Sequence, residues 1–303
     1  MRAAFLNEVD GPFELREVAD PMLRDGEALV RVRAAGINFL DVLIRRGRYP
    51  QMPELPAVLG YELSGELEDG ARVMALVTTG AYAELAAVPR SSLVPLPDGA
   101  TFAEGAGFLL TFLTAYVPLT RQVTLGEGQT VLVHAAAGGV GTAAIQVGRA
   151  LGARVVGAAG SPEKLELCLE LGAEEAYVYD SLPEELRVDI VVDPVGGSLF
   201  TAALARLRPL GTLVAIGYAA GLWPEVSPAN LVGRNVGVHG FYLGRLVRHE
   251  PELVSEAIGE LLALWQLGAL RPVVGAELPL AEVEQAHELV ESRRSVGKVV
   301  LVP

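Results

Sequence analysis

The clearest chemical feature of this 303-residue sequence is a cluster of three glycines between a short β-branched run and an amphipathic segment. Glycine at a strand-to-helix turn lets backbone N–H groups approach a pyrophosphate, and the helix N-terminus adds partial positive charge. The spacing is AxxGxxG, and the turn consists of Ala135, Gly138, Gly139, Val140 and Gly141. This context predicts a dinucleotide-binding turn.

The corner after the next β-branched run indicates which dinucleotide would bind there. NAD-binding proteins usually carry an acidic residue at this corner for the adenosine ribose, whereas this sequence has Ala159, Gly160 and Ser161. Lys164 follows on the first turn of the next helix, where a cation can meet a 2′-phosphate. Ser161 is also explained as a helix N-cap, and Lys164 as a solvated helix residue. The corner favours NADPH.

The pattern of apolar residues divides the chain in two. Up to about Val94, short apolar runs separated by Pro or Gly are typical of a β-barrel or sandwich, with one helical insert at 38–47. After about residue 112, six β-branched runs mostly alternate with amphipathic segments, which predicts an α/β, doubly wound parallel sheet. Two helical stretches and the run 298–302 follow. We expect this last run to return to the N-terminal β domain.

Composition excludes several classes of protein. The net charge of −13 repels nucleic acids and anionic membrane surfaces. Cys168 is the only cysteine, so neither an intrachain disulfide nor a four-cysteine zinc site can form. No apolar stretch approaches 18 residues, and the N-terminus has no long apolar signal region. We expect a cytoplasmic protein that binds neither nucleic acid nor membrane.

Several motifs together resemble the zinc-free, zeta-crystallin-like quinone oxidoreductases of the medium-chain dehydrogenase/reductase superfamily. They are AAGINFLDVLIRRGRYP, LPAVLGYELSG, HAAAGGVGTAAIQ, GSPEK, DPVGG and ESRRSVGKVVLVP. The resemblance implies a Rossmann domain at 112–245 and a GroES-like β-barrel domain made from 1–111 and 246–303. It also implies NADPH in the cleft between the domains, and a homodimer through the Rossmann sheet edge near 236–243.

The same resemblance makes missing ligands informative. Asn38 stands where zinc-dependent relatives have a cysteine ligand, Tyr61 replaces their histidine, and Glu62 alone remains. Catalytic zinc requires three protein ligands. The resemblance therefore implies a zinc-free enzyme whose substrate is intrinsically electrophilic, such as a quinone or a conjugated enone.

The resemblance also assigns roles to individual residues. The substrate end of the pocket would contain Asn38, Asp41, Tyr49 and Thr114, with Leu43 in place of a tyrosine that some relatives carry. The cofactor would meet Gly138 and Gly141 at the pyrophosphate, Lys164, Tyr179 and Arg293 at the 2′-phosphate and adenine, and Gly217 and Phe241 beside the nicotinamide.

Structural roles compete with several of these assignments. Asn38 is equally explained as an N-cap and Asp41 as a first-turn acid. Packing alone would explain Tyr49, Thr114 and Tyr179. Arg293 would also be explained as a solvated cation at a helix end. His134 and Cys168 are expected to lie in the core. The remaining histidines offer no metal-binding spacing.

The resulting hypothesis is an NADPH-dependent quinone reductase without a dedicated general acid. An enone or enoyl reductase of the same superfamily is one alternative. A non-catalytic NADPH-binding protein, either crystallin-like or RNA-binding, is another, and the net charge of −13 counts against RNA.

Overall fold

The computed structural model describes residues 1–221 and 223–303. Its strands are β1 (Arg2–Leu6), β2 (Phe13–Glu17), β3 (Glu27–Ile37), β4 (Ala57–Val58), β5 (Glu62–Glu66), β6 (Arg72–Leu76), β7 (Leu85–Pro89), β8 (Leu93–Pro95), β9 (Thr130–His134), β10 (Arg154–Ala159), β11 (Glu175–Val178), β12 (Val188–Asp193), β13 (Leu207–Ala215), β14 (Gly237–Gly240), β15 (Val274–Pro279) and β16 (Lys298–Val302). Its α-helices are α1 (Phe39–Arg45), α2 (Phe102–Ala106), α3 (Leu109–Val117), α4 (Gly139–Ala150), α5 (Leu165–Glu170), α6 (Gly197–Leu204), α7 (Pro228–Arg234), α8 (Leu243–His249), α9 (Pro251–Gln266) and α10 (Val283–Glu291).

The chain forms two compact units, one made of 1–110 and 272–303 and the other of 111–271. The second unit contains a six-stranded sheet in the order β11-β10-β9-β12-β13-β14. Every neighbouring pair in this sheet is parallel. The central strands β9 and β12 are almost wholly buried, as β-branched strands covered on both faces should be. The predicted doubly wound α/β fold is confirmed.

The first unit contains two sheets. A three-stranded sheet has the order β2-β1-β4, and a seven-stranded sheet runs β15-β16-β3-β5-β6-β8, with β7 also paired to β3. Strand β16 pairs antiparallel with β3, so the last strand returns to the N-terminal β domain as expected. Within the described residues these pairings leave two open sheets, and the predicted barrel does not close.

The second domain boundary differs from the prediction. Residues 246–271, which the sequence placed with the β domain, belong to the second unit. Arg121 forms an ion pair with Glu260 on α9, at 2.6 Å between Nη2 and Oε2. The Gln146 side chain on α4 also bonds both the N–H and the carbonyl of Arg271. These contacts hold the α8–α9 segment to the unit that contains the parallel sheet, so the chain returns to the first unit only at residue 272.

Two local differences concern helix ends. The segment after Ser161 starts as a 3₁₀ turn, Pro162–Lys164, before α5 begins. The spacing of Phe200, Leu204 and Leu207 predicts one helix that contains all three, but α6 ends at Leu204 and Leu207 begins β13. Among the described residues, no helix is long and apolar enough to cross a membrane.

Candidate functional site

The glycine turn links β9 to α4 in the second unit. Ala135 has a φ of +48°, and Gly138 N–H donates to Ala135 O at 2.8 Å, which closes a tight turn. Gly138 is the N-cap of α4. A Cβ on Gly141 would lie 2.1 Å from Ala135 O, so only glycine permits this approach. The backbone is therefore arranged as a dinucleotide-binding turn requires, with a helix N-terminus facing the loop.

Tyr179 supports this turn through its hydroxyl. Its oxygen accepts a hydrogen bond from Ala135 N–H at 2.9 Å. Its ring meets the His134 ring edge-on, with centroids 5.7 Å apart. His134 is 2% exposed, and its Nδ1 lies 3.1 Å from Asp193 Oδ1. His134 is thus a core histidine with a partner, and Tyr179 contacts the glycine turn itself.

Asp193, at the end of β12, is a residue that sequence reasoning missed. Its carboxylate is fully buried and accepts hydrogen bonds from Val195 N–H at 2.9 Å and Gly196 N–H at 3.2 Å. It therefore fixes the turn after β12, next to the β9 turn in the sheet. The motif DPVGG was visible in the sequence. Local sequence does not, however, distinguish a buried carboxylate that accepts hydrogen bonds from a turn from one that contacts a bound molecule.

The corner after β10 is formed by Ala159, Gly160 and Ser161. Ala159 ends the strand, and a Cβ on Gly160 would meet nothing within 4 Å. Lys164 is half-buried, and its pKa is lowered by that burial. The hydroxyl of Ser161 lowers the pKa of the exposed Glu163 carboxyl, so this acid lies beside the corner but outside the strand end. A cation and an open backbone characterise this corner.

The other predicted cofactor residues lie in two places. Phe241 N–H donates to Ala215 O at 2.9 Å, and Gly217 follows the same strand, so both are at the carboxyl ends of β13 and β14. Thr114, which is predicted as a substrate-side residue, is buried on α3 in the second unit. Arg293 belongs to the first unit, just beyond α10, with a φ of +58°. The structure therefore groups all the predicted cofactor residues except Arg293 in one unit.

A buried polar cluster occupies the first unit where β3 enters α1. The Lys298 ammonium donates to Ile37 O at 2.8 Å, Asn38 Oδ1 at 2.7 Å and Glu62 Oε1 at 2.5 Å. Asn38 Nδ2 also donates to Glu62 Oε1 at 3.0 Å and, at 3.4 Å, to Gly36 O. Sequence reasoning missed Lys298, although a lysine that opens an apolar strand was an available signal.

Asp41 lies on the first turn of α1 and is fully buried. Its Oδ2 accepts the Asn38 backbone N–H at 2.8 Å, the contact expected of a capping residue. Burial raises the pKa of this carboxyl to about 7, although the Asn38 hydrogen bond and the Lys298 charge oppose the shift. Tyr49, after the same helix, is half-buried and packs against the apolar core of this unit.

His287, on α10, is a second buried titratable group in this unit. Its ring lies 4.6 Å from that of Phe13 and 5.8 Å from that of Tyr82, between centroids. Burial, together with the charges of Arg45 and Arg46, lowers the pKa of His287 to about 3. The imidazole is therefore neutral at physiological pH.

Comparisons with known proteins agree with this architecture. The alcohol dehydrogenase GroES-like domain family matches residues 24–98, and the zinc-binding dehydrogenase family matches residues 139–260. Human quinone oxidoreductase is 30% identical over 100% of this chain and 98% of its own. The structure of quinone oxidoreductase from Thermus thermophilus, also determined with NADPH, is 44% identical over all of both chains, with a TM-score of 0.94. Escherichia coli quinone oxidoreductase complexed with NADPH is 29% identical over all of both chains, with a TM-score of 0.90.

A doubly wound sheet whose chain also builds a GroES-like unit is the architecture of medium-chain dehydrogenases and reductases. The chain belongs to the quinone oxidoreductase family of that superfamily.

One matching family is described as zinc-binding, and the residues of this chain do not fit that metal. Zinc in proteins prefers cysteine and histidine ligands. The polar cluster offers oxygen atoms from Ile37, Asn38 and Glu62, and the Lys298 ammonium already contacts all three. Over residues 1–221 and 223–303, no three His, Cys, Asp or Glu side chains are grouped so that they could hold a metal.

Proposed function

We propose that this chain is an NADPH-dependent quinone reductase. The observation that carries the proposal is its full-length similarity, at 44% identity and a TM-score of 0.94, to a quinone oxidoreductase whose structure was determined with NADPH. The composition of this chain's own cofactor turn supports the same conclusion. The strand-end acid that would repel a 2′-phosphate is replaced by Ala159, and Lys164 follows.

The residues of the second unit fit the cofactor. The turn from Ala135 to Gly141 would hold the pyrophosphate, since its backbone N–H groups and the α4 N-terminus favour negative charge. Lys164 and Ser161 would hold the 2′-phosphate, and Gly217 and Phe241 would border the nicotinamide. When bound, NADPH supplies the reducing electrons. Tyr179 and Asp193 keep the two neighbouring turns in place through hydrogen bonds to backbone N–H groups.

In the first unit, Asn38, Asp41 and Tyr49 are the proposed substrate-side residues, with Thr114 from the second unit. The Asn38 amide is held by hydrogen bonds on both its oxygen and its nitrogen. Asp41, with a pKa of about 7, holds a proton in part of the population near neutral pH. Its complete burial means that it acts on the charge of the cluster, while solvent supplies the protons that a reduced quinone takes up.

The direct test is steady-state NADPH oxidation with a panel of quinones, conjugated enones and enoyl thioesters. We expect turnover with quinones and a preference for NADPH over NADH. Turnover confined to the enones or enoyl thioesters would favour the alternative reductase activity. NADPH binding without turnover of any acceptor would contradict the enzymatic proposal.

We also propose that the protein acts without zinc, as a homodimer in the cytoplasm. Strand β14 is at the end of the parallel sheet, and an edge strand with free backbone groups is a natural site for a second copy. Light scattering should give twice the 32.0 kDa chain mass. A monomeric mass across the working concentration range would contradict the dimer.

A further inference from the structure

Lys298 is a buried cation whose hydrogen-bonding capacity is fully used. Its side chain is 4% exposed, and lysine is among the residue types least often found buried. An ammonium group has three protons, and the three acceptors within 2.8 Å are Ile37 O, Asn38 Oδ1 and Glu62 Oε1. The ammonium therefore has no proton left for a substrate.

The three acceptors come from adjacent parts of one sheet. Ile37 ends β3, Asn38 follows it as the N-cap of α1, and Glu62 begins β5. Strand β3 lies between β16, which carries Lys298, and β5. Both oxygens of Glu62 accept hydrogen bonds, because its Oε2 accepts Leu110 N–H at 3.2 Å. The cation thus joins three neighbouring strands at one point.

We propose that the Lys298 ammonium is the resident cation of this site and replaces, by occupying the same oxygen acceptors, the metal that the zinc-binding family description implies. A divalent ion would have to displace an ammonium held by three hydrogen bonds. It would then meet only oxygen donors, which are poor zinc ligands compared with thiolate and imidazole. The acceptor set suits an ammonium group.

The occupied site also gives Lys298 a positioning role. By donating to Asn38 Oδ1, the ammonium fixes which end of the amide is the oxygen, and leaves Nδ2 as the donor to Glu62 and Gly36. Lys298 therefore orients the Asn38 amide and does not contact the reacting atoms. The positioning role rests on the proposed quinone activity, whereas the occupied cation site does not.

A chemical-rescue experiment tests the occupied site. Lys298→Ala removes the atoms of one n-propylammonium ion, so that ion should refill the space left by the side chain. We expect n-propylammonium chloride to raise the melting temperature of Lys298→Ala more than sodium chloride at equal ionic strength, and to leave wild type unchanged. Lys298→Met is the matched control, because it fills the space with an apolar chain and should gain nothing from the amine.

Two results would overturn the proposal. One is a folded Lys298→Ala protein whose melting temperature n-propylammonium raises no more than sodium chloride does. The other is wild-type protein that takes one Zn²⁺ per chain from a chromogenic chelator, together with loss of that binding in Glu62→Gln. We expect the wild type to leave the zinc with the chelator.

The kcat of Lys298→Met separates an effect of Lys298 on the orientation of Asn38 from an effect on stability alone. In folded Lys298→Met we expect a lower kcat at saturating NADPH with an unchanged KM for NADPH, because the cofactor turn is in the other unit. An unchanged kcat would overturn the positioning role. If the wild type reduces no quinone, the rescue and zinc measurements still decide whether Lys298 is the resident cation.

Discussion

The two units of this protein present polar groups in opposite ways. In the second unit, the turn from Ala135 to Gly141 offers backbone N–H groups, and its glycines contribute by lacking side chains. In the first unit, Asn38, Glu62 and Lys298 satisfy one another through side chains that are almost fully buried. The backbone site is open to a ligand's charge, whereas the side-chain site already contains its own.

This difference shows where each kind of site is vulnerable. A backbone turn fails when an added Cβ blocks the close approach of two chain segments. A buried charge cluster fails when one partner is removed and the other is left without compensation, because the remaining charge keeps its desolvation cost.

Removing the buried cation should have the largest effect. Lys298→Met leaves the Glu62 carboxylate buried and without its ion pair, so we expect a loss of about 3–5 kcal/mol in the free energy of unfolding. The double variant Lys298→Met with Glu62→Gln should recover most of this loss. Urea unfolding of wild type, the two single variants and the double variant measures these losses. Additive losses would show that the two residues do not interact.

Asp41 should give the protein a stability component that decreases as pH rises. Its pKa is about 7 when folded and near 3.8 ordinarily, so between these values the folded state binds more protons than the unfolded state. The free energy of unfolding should therefore fall as pH rises through this window, by at most about 4 kcal/mol. Asp41→Asn should lack this component.

His287 provides a control of opposite sign for that experiment. Its pKa is lowered from 6.5 to about 3, so it stabilises the folded protein above pH 6.5 and loses that contribution as pH falls. His287→Leu should make the protein less sensitive to acid. Urea unfolding of wild type and of each variant at a series of pH values measures both effects. If the free energy of unfolding of a variant changes with pH in parallel with that of wild type, the pH dependence assigned to that residue is wrong.

Gly141→Ala should damage the cofactor turn, because its Cβ would lie 2.1 Å from Ala135 O. We expect the Kd for NADPH to rise about 100-fold, or about 2.7 kcal/mol. Gly259→Ala, on α9, is the matched control, since its Cβ meets nothing within 4 Å. Calorimetric titration with NADPH should show little change for the control. Equal losses in both variants would mean that the close approach at Gly141 is not what matters.

Lys164→Glu should have the smallest of these effects. Replacing the cation by an acid near the proposed 2′-phosphate should reduce the preference for NADPH over NADH about 10-fold or more, roughly 1.4 kcal/mol. Lys164→Arg keeps the charge and should keep the preference. Fluorescence titrations with both coenzymes measure it, and an unaltered ratio in the glutamate variant would remove Lys164 from the phosphate site.

What the sequence could predict follows from the range of the interactions. The β9 turn and the six parallel strands were predicted correctly because glycine spacing and β-branched runs are local signals. The Lys298 cluster was missed because it needs the register of β16 against β3 and of β3 against β5, which brings residue 298 to residue 62. Local periodicity also could not show which unit α9 would join. The functional roles of all the predicted substrate-side and cofactor residues stay predictions.

The first unit is assembled from two stretches of chain that are separated by the whole second unit. During synthesis, residues 111–271 emerge as one continuous stretch and can fold as soon as they are made. The segment carrying Asn38 and Glu62 must instead wait for β16, which is translated only after the second unit. Until then its buried carboxylate has no ammonium partner, so β5 and the start of α1 should be the parts of the nascent chain most dependent on protection from misfolding.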